Sequence, residues 1–212
     1  VVDNESTDNT LEIIQDFKND FPNLIVSSAP NVYKSSSKEP VEEGCRIMTG
    51  EYFTILDSDD FIKSDYVSNN INYINNSKET IYALQSIILG VNEDGGLLQF
   101  KNHEYENIEE LKSLLLKYCC VNSPTMFYHK SLLQGDVLNE RPDLYSGFCD
   151  YDKFCRIVDS GYYIHTANEW FGHYYRWHQG QDSWSVLQND DNIDYNVLIQ
   201  EYWKQKWETQ SV

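Results

Sequence analysis

The chain has 212 residues, with 34 acidic and 16 basic side chains and a formal net charge of −18 at pH 7. This charge argues against a nucleic-acid backbone or an anionic membrane surface as partner, because both are bound through lysine and arginine. A hydrophobic fraction of 41% is sufficient for a folded core, and the length favours a single domain over 1–212. No stretch approaches the roughly 20 apolar residues of a membrane span. The five cysteines form no C-x-x-C pair, which favours reduced thiols in a cytoplasmic protein.

The first part of the chain alternates short apolar runs with helical patterns. Val1-Val2-Asp3 is typical of the end of a buried strand, so we expect the chain to be an internal fragment. A helix follows, with Leu11, Ile14 and Phe17 on its apolar face. The next predicted elements are a strand at 24–26, a Ser-rich loop at 29–38, a helix at 40–50, a strand at 52–56 and a helix at 65–75. Strands that alternate with helices predict an α/β fold with a mostly parallel sheet.

The second part of the chain begins with a predicted hairpin, in which strands at 81–91 and 97–100 flank a Gly95-Gly96 turn. The remaining elements are predicted as a helix at 108–118, a strand at 126–128, a helix at 150–159, strands at 162–166 and 173–176, and a helix at 194–207. On the helix at 150–159, Phe154, Ile157 and Val158 are expected to pack inward. The hairpin adds a small antiparallel part to the fold.

An acidic cluster, Asp57-Ser58-Asp59-Asp60, follows the clearest strand. Asp57 and Asp59 alternate along an extended chain, so their carboxylates can point to one side and offer hard oxygens to a divalent cation. A solvated turn with a helix cap is the alternative explanation. Asp3 also follows a predicted strand, and parallel strands bind ligands at their carboxyl ends, so both acidic segments are expected on one rim of the sheet.

Four blocks in chain order resemble the inverting family 2 glycosyltransferases of the GT-A fold. The blocks are Val2 to Asp8, Gly50 to Asp60, Cys149 to Arg156, and Tyr175 to His178 with Ser183 and Ser185. They are similar to the family patterns VDDGSTD, GEYIxFLDSDD, EDYDLWLR and YRxHxxS. The resemblance implies a nucleotide-diphospho-sugar transferase fold whose mostly parallel central sheet is flanked by helices. It also implies one glycosyltransferase domain that lacks the family's first strand–helix unit, with a nucleotide-sugar part at 1–100 and an acceptor part at 101–212.

The resemblance further implies transfer of a sugar from a nucleotide diphosphate sugar to an acceptor hydroxyl, with inversion. Asp150 matches the general base, and neighbouring Asp152 is expected to raise its pKa by like-charge repulsion. Asp59 matches the main ligand of Mg²⁺ or Mn²⁺, and His178 matches a position near that metal or the diphosphate. The residues expected to bind the nucleotide sugar are Asp3, Asn4, Glu5, Lys38, Asp57 and Ser58, and those on the acceptor side are Asp152 and Trp184. A helix N-cap remains the alternative for Asp150, and a surface position the alternative for His178.

The chain departs from the family pattern at three positions. Asn4 replaces an aspartate that contacts the nucleobase, Val41 replaces an arginine, and Cys149 replaces a glutamate. A UDP-sugar is favoured by the resemblance. Because an amide both donates and accepts, whereas a carboxylate only accepts, the expectation of uracil is weakened, and GDP or dTDP sugars stay possible. The expected acceptor is a glycan or glycolipid in surface polysaccharide synthesis. That setting implies at most peripheral membrane contact, in the cytoplasm or at the inner face of the membrane.

Three other functions remain to be weighed. A catalytically inactive glycosyltransferase-like binding module is the main alternative, because of the three departures and the missing first unit. A sugar nucleotidyltransferase needs a Gly-rich basic loop, which this sequence does not show. An acidic scaffold requires all four blocks to be coincidence. The missing unit also predicts weaker folding and weaker donor binding than in a longer chain that includes it.

Overall fold

The structure is a computed structural model, and it describes residues 1–33, 36–100, 102–181 and 193–210. The described α-helices are α1 (Thr10–Asp20), α2 (Lys38–Ile47), α3 (Tyr66–Asn76), α4 (Ile108–Leu115), α5 (Pro142–Tyr145), α6 (Cys149–Asp159) and α7 (Tyr195–Gln210). The described strands are β1 (Val2–Asp3), β2 (Ser27–Ser28), β3 (Tyr52–Thr54), β4 (Phe61–Ile62), β5 (Ala83–Asn92), β6 (Leu97–Phe100), β7 (Phe127–His129) and β8 (Ile164–Trp177). These elements confirm the α/β class.

The described strands form two sheets. β1 and β2 pair in parallel, and a six-stranded sheet has the order β3-β7-β5-β8-β4, with β6 paired to β5. In the larger sheet, β5 and β8 run parallel, whereas the other pairings are antiparallel. The expectation of a mostly parallel sheet is therefore wrong, and the sheet is mixed. The reason is that β7 enters between β3 and β5 against both, while β6 returns along β5 through a tight turn and needs no crossover helix.

Strand β8 is one strand of 14 residues, where the sequence predicted two. Its register with β5 changes abruptly, since Ser86 pairs with Ala167 but Ile87 pairs with Phe171. The residues between those partners form a bulge, which bends a strand and increases its twist. The two predicted runs are the parts of β8 on either side of this bulge.

The core lies mainly around α6 and the strands next to it. Phe154, Ile157 and Val158 are buried there, as predicted. By contrast, α1 has no buried residue, and Leu11 and Phe17 are 42% and 54% exposed. The N-terminal part is therefore attached to the rest of the chain through much less apolar burial than α6.

A close approach of α3 to β8 depends on a glycine. A Cβ on Gly172 would lie 2.5 Å from Cδ2 of Tyr66, a fully buried ring whose hydroxyl donates to the carbonyl of Thr125 at 2.9 Å. The missing side chain lets the ring pack directly against the strand.

None of the helices in the described ranges is both long and apolar enough to cross a membrane.

Candidate active site

A cleft of about 580 Å³ opens where several strands end. Its lining includes residues that directly follow β1, β2 and β3, together with the end of β8 and the first turn of α6. The described lining contains four carboxylates and a single ammonium group, that of Lys153. The four acidic residues are Asp57, Asp59, Glu140 and Asp150. Asn4, the neighbour of Asp3, and the acidic loop both line this cleft, although β1 and β3 belong to different sheets and do not share one rim. The surplus of negative charge favours a cation in this cleft.

The loop after β3 brings one predicted pair of side chains together. Oδ2 of Asp59 lies 3.0 Å from Nε2 of His178, and both side chains are about one-third exposed, at 33% and 30%. His178 is held in place by Gln181, whose Oε1 accepts from the His178 amide at 3.3 Å. The Asp59 carboxylate is a suitable ligand for Mn²⁺ or Mg²⁺, and the imidazole of His178 is a second nitrogen donor beside it at the mouth of the cleft.

Asp57 lines the same cleft, two residues before Asp59. Burial raises the pKa of Asp57 to about 6, and the carboxylates of Asp150, Asp60 and Asp59 add to the effect. Like charges that are close together disfavour the ionised form of each. The raised pKa therefore reflects burial first and then the surrounding carboxylates.

Asp60 connects the acidic loop to β8 through its two carboxylate oxygens. Its Oδ2 lies 2.9 Å from Nε2 of His173, and its Oδ1 accepts from the amide of Arg176 at 2.9 Å. The guanidinium of Arg176 also donates to the carbonyl of Asp59. Both carboxylate oxygens of Asp60 are therefore engaged in contacts within the protein. These contacts fix the direction in which Asp57 and Asp59 point. The sequence did not predict these contacts of Asp60, because nothing in the spacing of residues 60, 173 and 176 indicates them.

Asn4 and Glu5 hold the segment that follows β2. Nδ2 of Asn4 donates to the carbonyls of Ala29 and Pro30 at 3.2 and 2.9 Å, and Oε2 of Glu5 accepts from the Asn31 amide at 3.2 Å. Because both amide hydrogens face carbonyl oxygens, Asn4 offers a ligand in the cleft only its acceptor Oδ1. The expectation that this amide would both donate and accept is therefore wrong in this setting.

Asp150 lies in the first turn of α6, with its side chain 42% exposed to the cleft. Its Oδ1 is 2.6 Å from Nζ of Lys153, one helical turn further on. Burial raises the pKa of Asp150, but the charge and hydrogen bond of Lys153 and a hydrogen bond from Ser123 outweigh it and hold the pKa below its usual value. The N-cap alternative does not fit, because the N-cap position of α6 is Phe148.

Asp152 points away from the cleft. It is fully buried, accepts from Nε of Arg156 at 2.8 Å and from Nε1 of Trp203 at 2.9 Å, and so joins α6 to α7. This placement contradicts both expectations for Asp152, namely an acceptor-side role and a raised pKa at Asp150. The error arose because residues two apart on a helix point in directions about 200° apart, so they do not face each other.

The other predicted site residues have mixed placements. Ser58 lines the cleft, whereas Asp3 is buried beside it, with Oδ2 bound by the Ser6 amide and Oδ1 without a partner in the described structure. Lys38 is not in the described lining, since its ammonium lies over the Tyr33 ring, 5.5 Å from the centroid. Trp184 lies outside the described residues.

The donor set around Asp59 suits one kind of metal site. Within the described residues, no three His, Cys, Asp or Glu side chains are grouped so that they could hold a metal by themselves. Mg²⁺ in phosphate-transfer sites is typically held by one or two protein ligands, several waters and the substrate phosphates. Asp59 and His178 fit that arrangement, in which the ion binds together with a diphosphate.

Comparison with known proteins identifies the family. The model of the family described as Glycosyl transferase family 2 matches residues 1–135, more than half of the chain. The chain belongs to glycosyl transferase family 2. The matched part contains the acidic loop, whereas Asp150 and His178 lie beyond it.

Individual relatives of this family 2 chain span several organisms. A poly(ribitol-phosphate) beta-glucosyltransferase of Bacillus spizizenii is 33% identical over 78 residues, which are 37% of this chain and 12% of that protein. S. aureus TarS 1–349 in complex with UDP-GlcNAc matches with a TM-score of 0.66 and 21% identity, over 86% of this chain and 50% of that chain. The Pyrobaculum calidifontis mannosyltransferase PcManGT in complex with GDP-Man and Mn²⁺ matches with a TM-score of 0.55 and 15% identity, over 95% and 58%. The structural matches establish the GT-A fold, and the family 2 chain spans only about half of these structures.

Proposed function

We propose that the protein is a metal-dependent inverting glycosyltransferase that uses a nucleotide diphosphate sugar. One observation carries the proposal: Asp57, the Asp59–His178 pair and Asp150 all line the same cleft. A donor-side acidic loop and a second carboxylate on another element, α6, are the two parts that direct sugar transfer requires. Family membership supports the same reaction class.

Asp150 acts as the general base in this proposal. Its carboxylate takes the proton from the acceptor hydroxyl as that oxygen forms a bond to the anomeric carbon. The bond from that carbon to the diphosphate breaks on the opposite face, so the configuration inverts and a nucleoside diphosphate leaves. A base must be ionised to accept the proton, and the lowered pKa of Asp150 keeps it ionised at neutral pH.

Asp59 and His178 would hold the divalent cation, and Asp57 and Ser58 would contact the donor. When bound, Mg²⁺ or Mn²⁺ supplies positive charge that stabilises the leaving diphosphate. The cleft itself gives a reason for a cation, since four carboxylates line it against one ammonium group in the described structure. Without added positive charge, the same carboxylates repel a diphosphate.

Asn4 narrows the choice of nucleobase. Its available Oδ1 is an acceptor, so it suits a base that presents a ring N–H. Uracil, thymine and guanine have such a group, whereas neutral cytosine presents an acceptor at the corresponding ring nitrogen. We propose UDP-sugars first, with GDP- and dTDP-sugars as alternatives.

The named relatives suggest the setting of the reaction. One is a poly(ribitol-phosphate) beta-glucosyltransferase, so we propose a role in surface polysaccharide synthesis, with the hydroxyl of a glycan or glycolipid as acceptor. A cytoplasmic location, with at most peripheral membrane contact, remains a prediction of the sequence.

A panel of UDP, GDP, dTDP and CDP, each with and without Mn²⁺, tests the donor site by thermal shift. A ligand that binds only the folded state must raise the melting temperature. We expect stabilisation by UDP that requires Mn²⁺, and a smaller stabilisation by CDP, which lacks the ring N–H. A sugar-transfer assay on the same protein then separates the enzyme from the alternative of an inactive binding module, which binds nucleotide without turnover.

A further inference from the structure

Lys153 is a buried lysine that the proposed donor and metal contacts do not use. It is 3% exposed, although lysine is rarely buried unless it is paired. Its Nζ lies 2.6 Å from Oδ1 of Asp150 and 3.5 Å from Oε1 of Glu140. The ammonium group therefore lies between two carboxylates at the wall of the cleft.

Glu140 connects this pair to the opposite side of the cleft. It is 8% exposed, and its Oε2 accepts from Oγ of Ser36 at 2.7 Å. The Ser36 hydroxyl also accepts from the Lys38 amide at 3.1 Å, at the start of α2. A continuous chain of polar contacts thus runs from the loop after β2, through Glu140 and Lys153, to Asp150.

We propose that Lys153 and Glu140 are positioning residues for Asp150, in which Lys153 fixes one carboxylate oxygen and keeps the carboxylate ionised, and Glu140 holds Lys153. The importance of this arrangement for catalysis rests on the proposed function, but the arrangement itself can be tested without turnover. Holding a reacting group in one orientation can remove a large part of the activation barrier of an enzymatic reaction, because the group is already ordered before the reaction begins.

The charges around the pair support this assignment. Burial lowers the pKa of Lys153, but Asp150 and Glu140 outweigh it and hold the pKa well above its usual value. Without the ammonium group of Lys153, Asp150 would lie near the carboxylates of Glu140 and Asp57. The described lining contains no other lysine and no arginine that could balance their charge. Such a cluster of like charges favours the protonated form of one member.

Six titratable groups lie near Asp150, four of them on neighbouring elements and two on α6 itself. They are Asp57, Cys119, Tyr128, Glu140, Cys149 and Lys153. Burial raises the pKa of Cys119 and of Cys149 to about 12 and also raises the pKa of Tyr128, so these three stay neutral at and below neutral pH. Of the six groups, Asp57 and Glu140 are the two other carboxylates.

The test is a titration of the aspartate side-chain carboxyl carbons by carbon-13 NMR on the full chain without metal. Comparison with Asp150→Asn assigns the signal of Asp150. In Lys153→Met, we expect the titration midpoint of Asp150 to rise by about one pH unit or more. Lys206→Met is the matched control, because it removes an ammonium–carboxylate contact of 2.7 Å to Asp159 at the other end of α6, and the Asp150 midpoint should not change.

Two further variants keep the test decisive if Lys153→Met does not fold. The double variant Glu140→Gln, Lys153→Met removes one of the two stranded carboxylates and should show the same direction of change. Lys153→Arg retains the positive charge and should keep the midpoint low. An Asp150 midpoint that is unchanged when the positive charge is lost would overturn the proposal.

Sugar-transfer rates then separate this proposal from the proposed function. If both hold, the acidic limb of the kcat/KM profile moves to higher pH in Lys153→Met and returns in Lys153→Arg, whereas a merely structural role lowers the rate equally at every pH. A wild-type chain that transfers no sugar, with the NMR shift present, contradicts the function and leaves the positioning pair standing. Normal sugar transfer without the NMR shift contradicts the proposed role of Lys153 and Glu140 and leaves the proposed function standing.

Discussion

Asp150 is the residue on which the proposed chemistry depends most directly. We expect Asp150→Asn to lower the transfer rate by at least about 100-fold, because an amide cannot take the proton of the acceptor hydroxyl. Metal-dependent UDP binding should be retained, since the predicted donor contacts lie on the loop after β3. Steady-state kinetics and thermal shift with UDP check the two parts. Asp143→Asn, an exposed change in α5, serves as the control, and an Asp150→Asn enzyme with full activity would exclude Asp150 as the base.

Asn4 gives a second prediction, because its amide group is required by the backbone it contacts. Asn4→Asp should destabilise the fold by about 1–3 kcal/mol, since a carboxylate would face the carbonyls of Ala29 and Pro30 without a hydrogen to donate. Asn9→Asp is the control, because Asn9 is exposed and makes no side-chain bond at the start of α1. Urea denaturation measures both variants. Equal stability of Asn4→Asp and the wild type would show that the two contacts contribute nothing.

The sequence predicted some of these contacts and not others. The approach of Asp59 to His178, 119 positions apart, followed from the order of the family motifs and not from local chemistry. Lys153 was missed, although its position three residues after Asp150 on a helix is a signal that could have found it. Glu140 had no such signal, because its contact with Lys153 depends on how the loop before α5 packs.

At the scale of secondary structure, the contact between α3 and β8 allows a sharp test. Gly172→Ala should destabilise the protein by about 1–3 kcal/mol, because the added methyl group would overlap the buried ring of Tyr66. Gly44→Ala is the matched control. Its Cβ would meet only Cγ2 of Val2 at 3.8 Å, and alanine in a helix interior is favoured by roughly 0.5–1 kcal/mol.

Chemical denaturation of the two alanine variants should therefore give changes of opposite sign. Destabilisation of both, or of neither, would contradict the close contact between Tyr66 and Gly172. Periodicity predicted α3 and much of β8, yet it could not show that this helix and this strand touch, because glycine in a strand has several possible causes.

The directions of the strands were the main feature of the fold that the sequence did not predict. Alternation of strands and helices in the first part of the chain favoured parallel pairing, whereas β3 and β4 pair with strands from the second part, β7 and β8. These pairings join residues more than 70 positions apart, and local patterns contain no information about them. The hairpin of β5 and β6 was predicted because its turn is local.

The charge of the whole molecule bears on metal dependence. The net charge of −18 and the acidic cleft both oppose binding of a free diphosphate. We expect UDP to raise the melting temperature only when Mn²⁺ or Mg²⁺ is present and EDTA to abolish that increase. Asp59→Asn should remove most of the metal-dependent part, and the exposed Asp94→Asn should not. Equal stabilisation by UDP in EDTA would contradict a metal-dependent donor site.

The uneven distribution of buried residues implies an order of opening in the native state. Neither α1 nor α2 has a buried residue, whereas nine of the eleven positions of α6 are buried. Regions with few buried contacts open at a lower free-energy cost than the global transition. Amide hydrogens of α1 should therefore exchange with solvent through local opening, while those of α6 and β5 should exchange only when the whole domain unfolds. Asn4 and Glu5 belong to this N-terminal part, which opens at low cost. A bound nucleotide should therefore slow amide exchange there first, so that binding of the donor also orders this segment.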